Sequence, residues 1–281
     1  MPGYESKIRD QFLNKPECII NFPDWLLSED QIDFFRNMER LAIVEMAGRD
    51  SVAAAIKSVE ENNFSDLLPT YVYTGTEFGN WQSVAEAVER LRQKLPEEVR
   101  IHNLLVFGSP GFWQALNGRF ISETTNKFGF YTPCIGCHLY LHCARIPLSV
   151  LLGNKPIITG ERESHDGNEK INQIPEVLDA YESFFQKFKI PLHMPLRNID
   201  DGRQIEKIIE IEWKQDKDQF GCVLSGNYRD TAGKNIVRKK DAINLLNNFL
   251  MPCAEKIIKS YLKGSIPDHR KITGDILSNS I

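Results

Sequence analysis

Short apolar runs that alternate with amphipathic segments constrain the fold of this 281-residue chain more than any other feature. LAIVEM at residues 41–46 is followed by SVAAAIKSVEEN at 51–62, whose apolar positions recur with the period of a helix. The order repeats along the chain, and the strand-like runs are residues 41–46, 67–74, 99–107, 154–160 and 190–196. Apolar strands that alternate with helices predict an α/β fold, a parallel sheet of about five strands with helices on both faces.

Helical patterns at both ends of the chain predict extensions on either side of this sheet. Near the N-terminus, Ser28 precedes an amphipathic pattern as a helix-capping residue. We therefore expect an N-terminal helical extension at residues 1–40 and an α/β domain at 41–200. A mostly helical C-terminal region follows at 201–281 and carries Cys222.

The segment between the third strand and the central cysteines has no clear period. Residues 108–133 are rich in glycine, proline and aromatic side chains, which predicts a long functional loop. The following segment predicts a helix that runs to Leu152 and kinks or ends at Pro147.

Composition excludes several classes of protein. Hydrophobic residues make up 42% of the chain, which excludes wholesale disorder, and the net charge of −4 argues against a generic nucleic-acid binder. No apolar stretch approaches the roughly 20 residues of a transmembrane helix, and the N-terminus lacks the order of a signal peptide. We therefore expect a cytoplasmic protein with no membrane partner.

The turn AGRDS at residues 47–51 joins the first strand to the next helix. Such a turn offers backbone N–H groups and the positive end of the helix dipole to an anion. Gly48 allows close approach of the backbone, Ser51 contacts a phosphate or caps the helix, and Asp50 orients the loop or reaches Mg²⁺. The alternative is an ordinary helix cap, because Asp and Ser are favoured there.

Two more turns at the same sheet edge combine glycine with polar residues. They are TGTEFG at 74–79 and TGERESHDG at 159–167. In the second, Arg162 either braces a phosphate or pairs with a neighbouring glutamate, and His165 is placed for acid–base chemistry. Three such turns indicate a ligand site where the strands end.

The three turns together resemble the PP-loop ATP pyrophosphatase superfamily, whose fold is adenine nucleotide alpha-hydrolase-like. AGRDS is similar to its SGGxDS loop, with Met46 and Ala47 in place of the Ser and first Gly, and TGTEFG and ITGERESH resemble the phosphoadenylyl-sulfate reductase branch. The resemblance implies ATP with Mg²⁺, and Asp50 and His165 as catalytic residues. The nucleotide-binding residues that it implies are Ala47, Gly48, Arg49, Asp50, Ser51, Thr74, Gly75, Gly160 and Arg162.

TPCIGCHLYLHC at residues 132–143 concentrates three of the six cysteines and two of the six histidines. On a helix, Cys134, Cys137 and His138 share one face, while Cys143 points away. A C-x-x-C at a helix start suits a metal or a cluster, because thiolates are stabilised there. Its alternatives are a dithiol pair for persulfide transfer and two buried structural cysteines.

Some PP-loop tRNA thiolases carry a C-x-x-C and a third cysteine well downstream, and the present pattern is similar. That resemblance implies Cys134, Cys137 and Cys222 as ligands of a [4Fe-4S] cluster. Zinc held by the two paired cysteines with His138 or His142 and a further ligand is the alternative metal.

Together these features predict an enzyme that adenylylates its substrate with ATP and then transfers sulfur to it. The expected partners are ATP, tRNA or a small metabolite, a sulfur donor and, as one option, a second copy of the chain in a homodimer. The alternatives are a zinc-containing PP-loop pyrophosphatase or ligase, and a nucleotide-binding regulator without catalysis.

Overall fold

A computed structural model describes residues 27–80, 82–214 and 218–279 of the chain. Its sheet has the strand order β4-β2-β1-β6-β7, with β5 also paired to β2, and every pairing in it is parallel. Its strands are β1 (Leu41–Glu45), β2 (Asp66–Val72), β4 (Arg100–Ile101), β5 (Leu105–Phe107), β6 (Ile157–Ile158) and β7 (Leu192–His193). The predicted α/β class with a parallel sheet is therefore confirmed.

Helices flank the sheet, and one π-helical turn at Leu246–Leu250 joins two of them. The helices are α1 (Glu29–Arg36), α2 (Arg49–Asn62), α3 (Gln82–Lys94), α4 (Pro110–Asn117), α5 (Ile121–Phe128), α6 (Pro133–Cys143), α7 (Ile146–Leu151), α8 (Pro175–Gln186), α9 (Gly202–Ile209), α10 (Lys239–Leu245), α11 (Met251–Leu262) and α12 (His269–Asn279).

The alternation of side chains along β1 divides the core into two layers. Leu41 and Ile43 belong to a layer built with α6, α8, α10, α11 and α12. Ala42 and Val44 belong to the other layer, built with α2, α3 and α9. Because successive strand residues point to opposite faces, a strand buried on both sides must be apolar at every position. This explains the continuous apolar run of β1 up to Glu45.

Ser28 caps α1 as predicted: its hydroxyl accepts from Gln31 N, and the Gln31 side chain accepts from Ser28 N. The rest of the predicted N-terminal extension, residues 1–26, lies outside the described part of the chain. The C-terminal helices share the larger core layer with the sheet.

The prediction of a long irregular loop at 108–133 was wrong, because α4 and α5 occupy most of it. The third predicted strand is two short strands that pair with successive parts of β2. A feature that the sequence analysis did not predict is a separate antiparallel ribbon of β3 (Glu77–Phe78) and β8 (Gly221–Cys222), which pairs Glu77 with Cys222.

The expectation that no apolar stretch has the length of a membrane span also needs correction. Among the described residues, the helical run Pro133–Leu151 has 19 residues and a mean hydropathy of 1.3, which meets that length and composition. However, 72% of its apolar window is buried inside the fold, and Ile135, Leu139 and Leu148 pack in the core. The predicted interruption lies slightly earlier than Pro147: α6 ends at Cys143, and α7 begins at Ile146 with Pro147 in its first turn.

Candidate active site

A pocket of about 370 Å³ opens at the carboxyl ends of β1, β2 and β6. Parallel strands end at a common sheet edge, so the three polar turns of the sequence meet here. Its lining includes the loop after β1, the segment after β6, the exposed side of α6 and the start of β8. The polar lining residues are Glu45, Arg49, Asp50, Ser51, Glu77, His138, Arg145, Thr159, Glu161, His165, Lys170, Gln173, Gln219 and Cys222.

The loop between β1 and α2 is closed by the Ser51 hydroxyl. Its oxygen accepts from Ala47 N at 3.0 Å and from Gly48 N at 3.1 Å, and the hydroxyl donates to Gly48 O at 2.6 Å. In this arrangement Ser51 holds the two loop amides, while α2 begins at Arg49. The loop thus has both features that the sequence allowed, a helix cap and a helix N-terminus facing the pocket.

Gln219, just before β8 in the C-terminal region, lies over this loop. Its Oε1 lies 3.5 Å from Arg49 N, and a Cβ added to Gly48 would lie 2.6 Å from the same oxygen. Only a residue without a side chain permits this approach. Gln219 therefore places a carbonyl oxygen against the amides at the start of α2, where an anion would bind.

Asp50 is surrounded by basic side chains. Its Oδ1 accepts from Arg49 Nε at 3.0 Å, and its Oδ2 lies 3.8 Å from Arg162 Nε and 4.0 Å from His165 Nδ1. Gly160, after β6, packs directly on the backbone of this turn, because an added Cβ would lie 2.7 Å from the carbonyl carbon of Asp50. The ends of β1 and β6 are thus in contact.

The other proposed nucleotide ligands take different positions. Arg162 is fully buried and donates from Nη2 to the carbonyl oxygen of Asp200 at 3.0 Å. It therefore ties the segment after β6 to the segment before α9. Thr74 Oγ1 bonds Thr76 Oγ1 at 2.8 Å, and Gly75 has a φ of 80° in the turn before β3. Of the described residues assigned to the nucleotide, these three do not line the pocket.

His165 lines the pocket and bonds the Gln173 amide, with 2.6 Å between Nε2 and Oε1. Burial, followed by the nearby charge of Lys170, lowers the pKa of His165 to about 4. Burial also lowers the pKa of Lys170, and the negative charge of Asp50 partly offsets this shift. His165 is therefore neutral at physiological pH, so it can accept a proton or a hydrogen bond there.

A buried ionic network joins two lining residues, Glu45 and Arg145, to His142. His142 Nδ1 lies 2.9 Å from Glu45 Oε1, and Arg145 Nη1 lies 3.4 Å from the same oxygen. Arg145 Nε also donates to Thr70 Oγ1 at 2.7 Å, which ties α6 to β2. Although burial opposes ionisation of Glu45, the charges of Arg145 and His142 lower the pKa of that carboxyl.

Glu161 joins both histidines of α6. Its Oε1 lies 2.8 Å from His138 Nδ1 and 3.2 Å from His142 Nε2, and its Oε2 accepts from Gln173 Nε2. Burial alone would lower the pKa of His142, but the charges of Glu45 and Glu161 raise it to about 9. Despite burial, the charge of His138 and its hydrogen bond hold the pKa of Glu161 well below its usual range.

The three cysteines proposed as cluster ligands lie on elements that meet at one side of this pocket. Cys134 lies in the first turn of α6 and Cys137 at the start of the second, and Cys222 on β8 lines the pocket. Two residues after Cys222, the carbonyl oxygen of Leu224 lies 3.7 Å from Cys134 Sγ. Burial raises the pKa of Cys134 to about 11, and the like charge of Cys222 adds to that rise.

N–H donors point at two of these sulfurs. Asn227 Nδ2 donates to Cys134 Sγ at 2.8 Å, and Trp113 Nε1 donates to Cys137 Sγ at 3.3 Å. Cys222 Sγ lies 3.6 Å from Thr76 Oγ1. Donors of this kind stabilise negatively charged sulfur and tune iron–sulfur clusters.

The remaining cysteines take other positions. Cys143 and Cys253 are fully buried in the core, and Cys18 lies outside the described residues. Within the described ranges, the three thiols do not form a group whose ligand atoms all lie within 4.8 Å of one another. Sulfurs around one tetrahedral zinc would be about 3.8 Å apart. The three thiols are therefore spaced more widely than one zinc ion requires, and among the described residues the alternative zinc set, Cys134 and Cys137 with His138 or His142, does not form such a group either.

Sequence reasoning missed several residues of the site. Lys170, Gln173 and Gln219 follow no motif, and their positions depend on how loops fold over the sheet edge. Glu45 gave a usable signal, since it is a charged residue at the end of a strand buried on both faces.

No family model matches the chain. Over 231 residues it is 42% identical to the uncharacterized protein MJ0009 of Methanocaldococcus jannaschii. This match spans 81% of the present chain and 83% of that protein. The chain belongs to the family of this archaeal protein.

A solved structure of a 4-thiouridine synthetase–RNA complex with bound ATP is similar over 85% of this chain, with 14% identity and a TM-score of 0.49. That similarity covers 53% of the synthetase chain, so the present chain spans about half its length.

Proposed function

We propose that this protein is an ATP-dependent sulfur-transfer enzyme of the PP-loop type that adenylylates its substrate. The observation that carries the proposal is the shared pocket: the α2 start with Gly48 and Ser51 lines one side of it, and Cys222 lines another. An anion-binding turn and a candidate sulfur-handling thiol thus face the same space.

The residues around α2 suit a nucleotide triphosphate. The helix N-terminus and the side chains of Arg49 and Lys170 supply positive potential to the phosphates. Asp50 offers a carboxylate oxygen to Mg²⁺ on the same side. On ATP binding, Gln219 must give up its place beside the Arg49 amide.

Two displacement steps account for the reaction. An oxygen of the substrate attacks the α-phosphorus of ATP, the bond from that phosphorus to the β-bridging oxygen breaks, and pyrophosphate leaves. Sulfide from a sulfur donor then attacks the activated carbon, the carbon–oxygen bond breaks, and AMP leaves with the oxygen. Sulfur replaces oxygen with no change in oxidation state, and the positive groups near Asp50 stabilise the departing pyrophosphate.

Cys134, Cys137 and Cys222 fit a [4Fe-4S] cluster by their chemistry. Three thiols approach from two elements, and Asn227 and Trp113 aim N–H donors at two of the sulfurs. When bound, the cluster would supply one iron without a protein ligand as a holding position for sulfur. The chain's own contribution is to hold Cys222 at the pocket wall beside the α6 segment that carries the other two sulfurs, and to exclude water around Cys137, which is buried.

The experiment that tests this function combines ATP, sulfide and either total tRNA or a metabolite extract with anaerobically prepared protein. We expect AMP and pyrophosphate in equal amounts with sulfur incorporated into one fraction. Asp50→Asn is expected to lower the rate of AMP formation about a hundredfold. Asp275→Asn, at an exposed position of α12, should leave this rate unchanged. If neither the tRNA fraction nor the metabolite extract leads to AMP formation, the proposal is wrong.

Filter binding of total tRNA across a salt series separates the two substrate classes. With a net charge of −4, the chain needs a local basic surface to hold RNA, so binding to tRNA must weaken as salt rises. Absent or salt-independent binding favours a small metabolite.

A nucleotide-binding regulator is the second candidate. Met46 and Ala47 stand where the resembled loop has Ser and Gly, and Ser51 holds the Ala47 and Gly48 amides. Calorimetry with ATP and AMP distinguishes the two, because tight AMP binding without pyrophosphate release favours the regulator.

A further inference from the structure

The two histidines of α6 and one carboxylate after β6 form a compact set of ligands. Among the described residues, His138, His142 and Glu161 are the group of three whose ligand atoms all lie within 4.8 Å of one another. His138 and His142 are one helical turn apart and project from the same face of α6. Glu161 reaches them from the end of β6, so two rigid elements fix the set.

Buried partners outside the set orient two of the three ligands, His142 and Glu161. Glu45 occupies Nδ1 of His142 at 2.9 Å, which leaves Nε2 directed at Glu161. Arg145 holds Glu45 in turn, and Gln173 donates to the second oxygen of Glu161. Histidines that bind metals have this arrangement, with the second ring nitrogen bonded to a carboxylate that sets the tautomer and orientation.

One buried nitrogen of the set has no aligned hydrogen bond. His142 is 1% exposed, and its Nε2 lies 3.2 Å from Glu161 Oε1 but out of line for a hydrogen bond. A buried polar atom without an aligned partner destabilises the fold. An ion between the two side chains would satisfy both.

We propose that His138, His142 and Glu161 bind a divalent first-row transition-metal ion. Two imidazoles and one carboxylate are the ligand set of catalytic zinc and of non-haem iron(II). The His138 side chain is 30% exposed, and it lines the pocket together with Glu161. The open coordination position therefore faces the pocket, where it takes water or a substrate oxygen.

This site is separate from the three thiols. Its ligands are nitrogen and oxygen, and no cysteine belongs to the described group of ligand atoms. The proposal does not depend on sulfur transfer or on the proposed cluster, and it holds for any chemistry in the pocket.

The test titrates Co²⁺ into the full chain after Cys134, Cys137 and Cys222 are replaced by serine and bound metal is stripped with a chelator. We expect saturation at one Co²⁺ per chain, with visible d–d absorption and no thiolate charge-transfer band. His138→Ala and Glu161→Gln are expected to abolish it, and Glu45→Gln to weaken the Kd about 10- to 100-fold.

His102→Ala is the matched control, because His102 also pairs with a carboxylate, Asp66 at 3.0 Å, but at the opposite edge of the sheet. It should leave Co²⁺ binding unchanged. If the serine background does not fold, Zn²⁺ titration of the wild-type chain against His138→Ala gives the same comparison, with one site fewer in the variant. Absence of saturable binding, or binding that survives both His138→Ala and Glu161→Gln, would overturn the proposal.

Discussion

At the scale of single residues, burial and the sign of the neighbouring charges together decide the direction of each pKa shift at the sheet edge. His142 lies between two carboxylates and has a raised pKa, whereas His165 faces Lys170 and has a lowered one. Burial disfavours the charged form of both rings; the carboxylates beside His142 outweigh that effect, whereas the charge of Lys170 adds to it at His165. Residue type alone did not separate their roles.

Replacing His165 tests this directly. Its pKa falls from 6.5 to about 4 on folding, so between these values the unfolded chain binds a proton that the native chain does not. The stability that neutral His165 contributes is fully present above pH 6.5 and is lost as the pH falls towards 4. Relative to His165→Gln, the free energy of unfolding of the wild type should fall by up to about 1.4 kcal/mol per pH unit in that window.

Urea unfolding of both proteins at several pH values from 7 downward measures this difference, and His165→Gln removes the one group in question. Parallel pH dependences would show that His165 titrates normally in the native protein.

At the scale of elements, the sequence predicted the sheet well because its strands are buried on both faces. The continuous apolar run of β1, buried at all five positions, is typical of a central parallel strand. The two helices of 108–133 were missed because each has only eight residues, and their capping residues were interpreted as loop composition. Ser109 caps α4 with Pro110 in its first turn, and Gly129 ends α5 in the left-handed region.

Gly160→Ala tests the contact between β6 and the loop before α2. Its Cβ would lie 2.7 Å and 2.8 Å from backbone atoms of Asp50 and Ser51, which cannot move without shifting the loop. We expect a loss of about 1–3 kcal/mol in the free energy of unfolding and weaker ATP binding.

Gly118→Ala is the control, because its nearest atom would be in the Trp113 ring at 3.8 Å, an ordinary contact. Chemical denaturation and calorimetry with ATP measure both effects. Equal stability and equal ATP affinity of the two variants would show that β6 does not position the loop.

At the scale of the whole molecule, the site depends on a contact that no local pattern encodes. The pairing of β3 with β8 brings Cys222 and Gln219 to a pocket otherwise built from residues 45–173. The sequence supplied the candidates Cys134, Cys137 and Cys222, but not Gln219, Lys170 or the Glu45 network. Those positions follow from tertiary packing of loops, for which hydrophobic periodicity carries no information.

Iron analysis of anaerobically purified protein tests the central claim, that the two paired thiols and Cys222 act together at this pocket. The account predicts brown protein with about four irons per chain, lost in Cys134→Ala, Cys137→Ala and Cys222→Ala but kept in Cys253→Ala, whose sulfur lies in the core beside Thr273. Colourless wild-type protein, or iron that is retained in Cys222→Ala, would contradict it.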